Sequence, residues 1–286
     1  MNPTRRSLTL GISTLMCWPA LARSAVADPI AEYERATGGR IGVYALNVKT
    51  GTEIAWRADE RFIMCSTYKA LLASFVLSRV DRGQEELDSP VPYTAGDTLE
   101  LWAPVANANL KKGSMTVEAM CRAAVEISDG ACANLVMARS GGPSALTAFL
   151  RSIGDETTRV DHFEPALDRS PSGGPDDSTT PRAMATTLQA LVLGTTLSAG
   201  SRARLTAWLM GNQTNHRLRR GLPRRWRIAN KTGHSGRDMA GDIAVVWPRP
   251  DTPILIAVYT REGTPTERQF DRSFGDIGRL VAATLA

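Results

Sequence analysis

Apolar residues along this chain follow two different periods, and the change of period divides the sequence into three parts. Both ends carry short β-rich runs bounded by turn residues, whereas the stretch from about Cys65 to Met210 reads as helices joined by polar loops. A short helix is predicted at Asp28–Arg35, and an amphipathic helix from about Arg268 to Leu285. The runs with strand character are Ile41–Leu46, Glu53–Arg57, Arg225–Asn230, Asp242–Trp247 and Ile254–Thr260.

Strands at both ends with helices between them predict an α+β fold, in which both termini build one antiparallel five-stranded sheet flanked by terminal helices. The helical middle would form an all-helical domain beside it. We assign residues 28–62 and 213–286 to the α/β domain and residues 63–212 to the helical domain, with an omega loop at about residues 160–180. A functional site is expected in the cleft between the two domains.

The first 27 residues have the composition of an export signal. A pair of arginines precedes an apolar run from Leu8 to Leu21, and Ala25–Ala27 supplies small residues for cleavage after Ala27. The alternative is a membrane anchor, but a glycine and a proline interrupt the run, which is shorter than the about 20 apolar residues of a spanning helix. The paired arginines also resemble a twin-arginine signal. We therefore predict a periplasmic or secreted protein.

Charge and histidine content bear on the partners of the chain. The net charge is +5, but residues 1–27 hold three arginines and no acidic residue, so the cleaved chain carries +2. This small charge does not indicate a nucleic-acid partner. Neither the cysteines nor His162, His216 and His234 have the spacing of zinc ligands, so we predict no metal and no cofactor.

One serine–lysine pair stands at the start of a strongly apolar run. Ser66 and Lys69 precede Ala70–Leu77, which predicts a buried helix with the serine in its first turn. Residues three apart share a helix face, so Lys69 would lie beside the Ser66 hydroxyl, where a desolvated lysine can act as a base. The alternative is a serine that caps the helix and a lysine at the surface.

Three further polar groups follow in order along the chain. Ser128–Gly130 lies in a turn between helical runs, where a serine hydroxyl can face a cleft and Asp129 can hold the turn. Glu164 lies in a polar loop beside a proline, and Lys231–Gly233 closes a predicted strand, where glycine lets a substrate backbone come close. Each has an ordinary alternative, namely a capped turn, a solvated glutamate and a hairpin turn.

In this order and spacing, the motifs resemble those of class A β-lactamases and penicillin-binding proteins, over the whole chain after residue 27. The resemblance implies that Ser66 is the acylated nucleophile and that Lys69, with or without Glu164 acting through water, is the acylation base. Ser128 would pass a proton to the leaving nitrogen, and Glu164 would activate water for deacylation. The implied activity is hydrolysis of the β-lactam ring of penicillins and cephalosporins, with carbapenems left open.

The resemblance also implies a set of substrate-binding residues. The strand segment would contribute Lys231, Thr232, Gly233, His234 and Ser235. The backbone N–H groups of Ser66 and His234 would form an oxyanion hole. Trp102 matches an aromatic gate that stacks on substrate, and its alternative is an exposed packing residue.

The substrate carboxylate needs a cationic anchor, and Arg217 is our choice. Many class A enzymes have an arginine on the strand after the Lys-Thr-Gly motif, but Asp238–Asp242 contains none. Arg217 resembles the arrangement of some broad-spectrum members, in which an arginine from the preceding helix end reaches the same place. Its alternative is a solvated arginine in a cluster with Arg219, Arg220, Arg224 and Arg225.

Two positions depart from the family pattern. Gly130 stands where an asparagine usually helps hold the acylamino group of the substrate, and Asp168 where an asparagine usually helps hold the hydrolytic water. Loss of one hydrogen bond costs about 0.5–1.5 kcal/mol, which slows a hydrolase without abolishing its activity. Asp168 close to Glu164 would raise the pKa of one carboxyl through like-charge repulsion.

The cysteines predict no disulfide that holds the site. Some carbapenem-hydrolysing relatives bridge the cysteine before the nucleophile to one two residues past the Lys-Thr-Gly motif, where this chain has Ser235. Cys121 matches half of another family bridge, whose usual partner position holds Ala73. An odd number of cysteines leaves at least one free thiol or a bond between chains. The cysteines after residue 27 are Cys65, Cys121 and Cys132.

Two other functions share part of this pattern. A penicillin-binding DD-peptidase uses the same serine–lysine chemistry on peptidoglycan stems, and Glu164 argues against it. A β-lactam sensor that is acylated and stops is favoured by the missing asparagine at position 130, but no partner domain accompanies this chain. We therefore expect a monomeric enzyme whose partner is a small β-lactam and which has no stable membrane anchor.

Overall fold

The computed structural model describes residues 20–214 and 217–286. Within them the strands are β1 (Arg40–Asn47), β2 (Glu53–Trp56), β3 (Phe62–Ile63), β4 (Pro90–Pro92), β5 (Ser114–Thr116), β6 (Ser178–Thr179), β7 (Arg227–His234), β8 (Ala240–Trp247) and β9 (Ile254–Arg261). The α-helices are α1 (Ala20–Thr37), α2 (Tyr68–Asp81), α3 (Pro104–Asn109), α4 (Val117–Glu126), α5 (Gly130–Arg139), α6 (Gly142–Ser152), α7 (Pro181–Val192), α8 (Ala199–Met210) and α9 (Glu267–Leu285).

Five strands form one sheet in the order β2-β1-β9-β8-β7, and each neighbouring pair is antiparallel. Strand β1 pairs along its whole length with β9, so both ends of the chain build the same sheet. The predicted α+β architecture with a five-stranded antiparallel sheet is confirmed. Strand β7 lies at one edge of this sheet, and the candidate site is built against that edge.

Strand β7 is longer than the sequence pattern predicts. The sequence pattern predicts a strand that ends at Asn230 and is closed by the Lys-Thr-Gly motif, whereas the strand continues to His234. The ladder with β8 explains the difference, because pairing runs without a break as far as His234 opposite Ala240. Lys231–Gly233 is therefore held inside a hydrogen-bonded ladder, which fixes the direction of each side chain.

Alternate residues of the sheet face two separate cores. In β9, every second residue from Ile254 packs with α1 and α9, whereas the residues between them, from Leu255 to Tyr259, pack with the helical part. Helix α9 contributes Phe270 and Phe274 to the first core. Because both faces are covered, the strands read as nearly continuous apolar runs.

Helix α1 begins at Ala20, before the predicted start at Asp28, and includes Pro29 in its interior. The alanine-rich stretch before Asp28 has a high helix propensity, which explains the longer helix in the full-length chain. The predicted export signal lies mostly outside the described residues, which begin at residue 20. In the described part, no helix combines the length and the apolar character needed to cross a bilayer.

Helix α2 runs through the helical part and is buried on nearly all sides. Helices α4, α5, α6 and α8 pack around it. A helix that is apolar all round forms a core, as the Ala70–Leu77 run predicts. The first turn of α2 is thereby fixed in position, and this turn carries Lys69.

The loop at residues 160–180 is held by one buried carboxylate. Asp177 accepts hydrogen bonds from the backbone N–H groups of Asp161 (2.8 Å) and His162 (3.0 Å) and from the Ser170 hydroxyl (2.5 Å). The His162 ring also contacts it, Nδ1 to Oδ2, at 2.6 Å, and this contact raises the pKa of His162. These bonds tie both ends of the loop together, so the loop segment that carries Glu164 is held in place.

Candidate active site

A cleft of about 280 Å³ opens between strand β7 and the helical part. Its lining includes Ser66, Lys69, Trp102, Ser128, Glu164, Asp168, Thr214, Thr232, Gly233 and His234. All of these except Thr214 are residues that the sequence predicts for the site. A larger groove of about 620 Å³ lies between α3, α4 and β5, but none of the predicted residues lines it. We therefore place the site in the smaller cleft, where the titratable groups converge.

Ser66 lies in a short 3₁₀ turn, Cys65–Thr67, that runs directly into α2. Its Oγ donates to Glu164 Oε1 across 3.3 Å. Lys69 is only 1% exposed, and its Nζ lies 2.9 Å from Glu164 Oε1 and donates to the Ser128 carbonyl across 2.8 Å. The alternative of a surface lysine is thus wrong. The structure brings the predicted nucleophile and both candidate bases into contact.

Two lysines converge on the hydroxyl of Ser128, which stands at a positive φ of 64°. Lys231 Nζ donates to Ser128 Oγ across 3.1 Å and Lys69 Nζ across 3.4 Å. Burial, and then the charge of Lys69, lowers the pKa of Lys231 to about 7. A lysine that is half neutral near pH 7 can exchange a proton with the serine hydroxyl that it contacts.

Asp129 holds Ser128 in this unusual conformation by capping two helices. Its Oδ1 accepts from the N–H of Cys132 in α5 at 2.9 Å. Its Oδ2 accepts from Val105 and Ala106 in α3 at 2.9 and 3.0 Å. The alternative of a capped turn is thus correct for Asp129, and the same cap points the Ser128 hydroxyl at the cleft.

Glu164 is 9% exposed, so the alternative of a solvated glutamate is wrong. Asn134, one helical turn after Gly130 in α5, donates to the Glu164 carbonyl at 2.8 Å and accepts from its N–H at 3.0 Å. No sequence motif marks Asn134. The one pattern that could have indicated it is the i,i+4 spacing from the Ser128–Gly130 motif, which puts it on the same helix face as Gly130.

Asp168 lines the cleft close to Glu164 and Cys65. Burial first, and then the charge of Glu164, raises the pKa of Asp168 to about 7. Desolvation therefore exceeds the like-charge repulsion that the sequence predicts as the cause. Among the described residues, no hydrogen-bond donor reaches its buried Oδ1. This oxygen can accept a bond from a molecule in the cleft.

Gly233 lets strand β7 lie directly against the turn that carries Ser66. A Cβ at this position would lie 2.8 Å from the Met64 carbonyl oxygen and 3.0 Å from the backbone nitrogen of Ser66. The sequence predicts that glycine admits a substrate backbone here, but the backbone it admits is the Ser66 turn. Beside it, Thr232 Oγ1 lies 2.6 Å from Thr214 Oγ1. Thr214 carries no sequence motif, and only the fold places it in the cleft.

His234 lines the cleft, and its ring packs edge-on against Phe270 with centroids 5.3 Å apart. Its Nε2 lies at ion-pair distance, 3.1 Å, from Glu267 Oε1, but the angle does not make a hydrogen bond. Burial, and then the charge of Arg217, lowers the pKa of His234. Both effects favour the neutral imidazole over the charged one.

Arg217 and Ser235 are not brought into the cleft lining. Arg217 is 1% exposed, so the alternative of a solvated arginine is wrong. Its guanidinium packs over the rings of Phe270 and Phe274 at 5.0 and 5.2 Å and lies 3.7 Å from Glu267. The hydroxyl of Ser235 instead accepts backbone N–H bonds within the β7–β8 turn. The residues before Arg217, 215 and 216, lie outside the described part of the chain.

Trp102 stands at the rim of the cleft and is 68% exposed. Its indole Nε1 donates to the Ile127 carbonyl across 3.2 Å, which ties the ring to the residue before Ser128. The backbone carbonyl of Trp102 accepts from the N–H of Gly130 at 2.7 Å. An exposed ring with a fixed edge can stack on a ligand, as the gate prediction requires.

The cysteines in the described chain are all buried and carry free thiols. Cys65 contacts the Met239 carbonyl at 3.9 Å, and burial raises its pKa far above the ordinary value. Burial likewise raises the pKa of Cys121 to about 12. Thiols with raised pKa values are poor nucleophiles, so Cys65 and Cys121 are poor candidates for a catalytic nucleophile. No cluster of three or more candidate metal ligands occurs within residues 20–214 and 217–286.

Comparisons with known proteins identify the family of this chain. Residues 25–285 match the Beta-lactamase enzyme family. The chain is 40% identical to the carbapenem-hydrolyzing β-lactamase KPC of Klebsiella oxytoca, over 95% of both chains. It is 43% identical to β-lactamase L2 of Stenotrophomonas maltophilia, over 92% of this chain and 87% of the relative.

Solved structures give the same answer for the fold. An ancestral (GNCA) class A β-lactamase has 47% identity and a TM-score of 0.86, covering 90% of this chain and 99% of the other. A β-lactamase from Xanthomonas campestris pv. campestris has 41% identity and a TM-score of 0.88, covering 93% and 99%. The chain therefore belongs to the β-lactamase enzyme family and is a class A β-lactamase, an enzyme that hydrolyses the β-lactam ring and so acts in antibiotic resistance.

Proposed function

We propose that this β-lactamase opens penicillins and cephalosporins through an acyl-enzyme on Ser66. The observation that supports this most is the continuous chain of polar contacts in the cleft. Ser66 Oγ contacts Glu164, which contacts Lys69, which contacts Ser128, which contacts Lys231. Such a chain can take a proton from the nucleophile and deliver one to the leaving group within a single site.

In acylation, Ser66 Oγ bonds to the carbonyl carbon of the lactam while its proton passes to Lys69 or Glu164. The carbon–nitrogen bond of the ring then breaks, and the nitrogen receives a proton from Ser128 Oγ. Lys69 and Lys231 both contact that hydroxyl and can replace its proton. The N–H groups of Ser66 and His234 would hold the oxyanion, and loss of one such donor typically costs about 2.7–4 kcal/mol.

In deacylation, Glu164 takes a proton from a water whose oxygen attacks the ester carbon. The bond from that carbon to Ser66 Oγ breaks, and Oγ regains a proton. Asp168 presents a buried oxygen without a donor among the described residues, on the same side of the cleft. That oxygen can accept one hydrogen bond from the water and so hold it for Glu164.

The strand side would bind the substrate carboxylate. Lys231, Thr232 and Thr214 offer an ammonium and two hydroxyls there. Because Arg217 does not line the cleft, we assign it a role behind the strand, where its charge adds to the positive potential near His234. Trp102 would stack on the substrate at the rim. Ser235 has no side-chain role in binding in this proposal.

The mature enzyme would begin at Asp28, after export into the periplasm or medium. Support comes from Pro29, which lies in the interior of α1 in the full chain, where proline is unfavourable. In a chain that starts at Asp28, Pro29 would stand in the first turn, where proline is well tolerated. A site built from one chain needs no second subunit, and we infer a monomer.

A nitrocefin assay on the purified mature protein tests the proposal. Many turnovers are expected, whereas very slow turnover would favour a DD-peptidase and a single burst would favour a sensor. Ser66→Ala should abolish the covalent adduct that intact mass detects after benzylpenicillin is added, and an adduct in that variant would remove Ser66 from its role. Adding a carbapenem decides whether the activity named for the Klebsiella oxytoca relative extends to this chain.

A further inference from the structure

The backbone conformation at Gly130 does not require a glycine. It begins helix α5 and is not among the described glycines with positive φ, so other residues could adopt its backbone conformation. The reason is space, because a Cβ at this position would lie 2.5 Å from Glu164 Oε2. The next neighbours are at ordinary distances, 3.5 Å for the Trp102 carbonyl oxygen and 3.6 Å for Leu101 Cβ. The Glu164 carboxylate therefore occupies the place of a side chain at position 130.

Neither backbone can move away to relieve this contact. The N–H of Gly130 donates to the Trp102 carbonyl at 2.7 Å, and Asp129 just before it caps α5. The backbone of Glu164 is held on both sides by Asn134, which belongs to the same helix α5. A side chain at position 130 would thus displace the group that can still move, which is the Glu164 carboxylate.

That carboxylate touches the nucleophile. The distance of 3.3 Å between Ser66 Oγ and Glu164 Oε1 is a direct hydrogen bond, which leaves no room for a water between the two atoms. Lys69 Nζ lies 2.9 Å from the same carboxylate oxygen. The space that Gly130 leaves open therefore decides how close Glu164 comes to Ser66.

We propose that Gly130 is a positioning residue that lets Glu164 act directly on Ser66 as the acylation base. This rests on the proposed function, in which Ser66 is the nucleophile. The proton leaves Ser66 Oγ for Glu164 Oε1 as Oγ bonds to the lactam carbonyl carbon. When the ring carbon–nitrogen bond breaks, Ser128 protonates the nitrogen. Lys69, which contacts both groups, passes the Glu164 proton on to Ser128, so Glu164 is ionised again before water attacks.

An asparagine at position 130 would then slow the enzyme instead of completing it. Suppose that the only effect of Gly130 were the loss of an asparagine hydrogen bond to the acylamino group of the substrate. Gly130→Asn would then improve kcat/KM for benzylpenicillin. It would leave 6-aminopenicillanic acid, which lacks that group, unchanged. If Gly130 makes room for Glu164, then Gly130→Asn and Gly130→Ala slow acylation by both substrates alike.

The test measures single-turnover acylation by rapid quench and intact mass, with both penicillins. Gly130→Ala should lower the acylation rate about tenfold to hundredfold, because a displacement of about 1 Å at a catalytic group can cost 10²-fold. Gly200→Ala is the matched control in the first turn of α8. A Cβ there meets only Ser198 Oγ, at 4.0 Å. Its acylation rate should stay within about twofold of wild type, as for a distant surface site.

A second set of variants, made in a Glu164→Asp background, tests whether the Glu164 side chain is the group that a Cβ at position 130 displaces. In Glu164→Asp the shorter side chain leaves the space beside Gly130, so adding Gly130→Ala should change acylation less than about twofold. Equal losses from Gly130→Ala in both backgrounds, or faster acylation of benzylpenicillin by Gly130→Asn, would overturn the proposal. So would unfolding of Gly130→Ala that Glu164→Asp does not repair. An adduct in Ser66→Ala would instead refute the proposed function itself.

Discussion

The cleft has two walls that differ in how their charges are compensated. The helical wall carries Ser66, Lys69, Ser128 and Glu164, and the strand wall carries Lys231 and Thr232. On the helical wall, Lys69 and Glu164 form an ion pair, and the Ser66 and Ser128 hydroxyls are bonded to it. On the strand wall, Lys231 lies beside Lys69, and burial lowers its pKa. Positive charge is thus compensated on the helical wall and under-compensated at the strand.

The proposed mechanism gives each wall a different task. Proton transfer needs pairs of atoms at fixed distances, and paired charges with capped backbones supply them. Binding of an anion needs a positive charge in the cleft. A buried lysine with a lowered pKa suits this task, because the cost of burying its charge is offset only when the anion binds. Changes on the helical wall should therefore affect rates, and changes on the strand wall should affect affinity and its pH dependence.

The largest effect is expected on the helical wall, from Lys69→Met. This change keeps an apolar stem of similar length, removes the ammonium, and leaves Glu164 without its partner. We expect acylation to fall by at least about 10²-fold, the lower end for loss of a proton-transfer group. Lys49→Met is the control, because Lys49 is exposed and pairs with Asp251 far from the cleft. Stopped-flow acylation that stays within about tenfold of wild type would contradict the assignment.

The second prediction concerns Lys231 and pH. Its pKa of about 7 means that the ammonium is lost as pH rises through neutrality in the free enzyme. We expect kcat/KM for benzylpenicillin to fall above about pH 7, while kcat persists to higher pH because the bound anion raises the lysine pKa. Lys231→Arg stays charged and should remove this alkaline limb. A profile that is flat to pH 9 in wild type would show that Lys231 is not the anchor.

The sequence predicts those parts of the site and the fold whose residues are close together in the chain. Ser66 and Lys69 are three apart on one helix, and Lys231–Gly233 is one run on one strand, so the motifs alone place these groups. Asn134 and Thr214 act through contacts with residues distant in sequence, which only the folded chain brings together. The sheet and its strands could be predicted because their apolar patterns are local, but the full length of β7 depends on pairing with β8.

The orientation of the Arg217 side chain also could not be predicted from the local sequence. The sequence predicts an arginine near the strand, and the structure places one there, but behind the strand instead of in the cleft lining. Its direction is set by Phe270 and Phe274 in α9, more than 50 positions later in the chain. Tertiary packing of this kind leaves no mark in the local sequence around Arg217.

The third prediction is smaller and concerns Arg217 itself. Arg217→Ala should raise KM for penicillins about fivefold to tenfold with kcat nearly unchanged, because only a nearby buried charge is lost. It should also lower the free energy of unfolding by about 2 kcal/mol, since the guanidinium stacking on two rings is lost. Arg219→Ala is the control, because Arg219 bonds to Asn230 and the Ile228 carbonyl. A KM effect in Arg219→Ala alone would show that Arg219, and not Arg217, supplies this charge.

The smallest effect is expected from Asp168→Asn, as a change in pH dependence. With a pKa of about 7, Asp168 is protonated in mild acid, and its ionisation above neutrality strengthens the hydrogen bond that its Oδ1 would accept from the hydrolytic water. We expect kcat in wild type to rise about twofold to threefold through pH 7 and to be flat in Asp168→Asn. Equal pH profiles for the two proteins would contradict this.

Stability gives a second measure of Asp168. A carboxyl whose pKa is raised by folding destabilises the protein as pH rises from its unfolded pKa to its folded pKa. Asp168→Asn should therefore raise Tm most at pH 8, and the gain should shrink toward pH 4. A gain that does not depend on pH would come from packing and not from charge.

In the proposed mechanism Glu164 activates the water that hydrolyses the ester on Ser66, and intact-mass measurement of Glu164→Gln is the sharpest test of this role. Glutamine keeps the shape of the side chain and removes the base. Acylation should slow, because Lys69 alone remains beside Ser66, and deacylation should nearly stop. The predicted result is an enzyme that gains the full mass of benzylpenicillin and keeps it for many minutes. Steady-state turnover within about tenfold of wild type, with no lasting adduct, would show that Glu164 is not the base for deacylation.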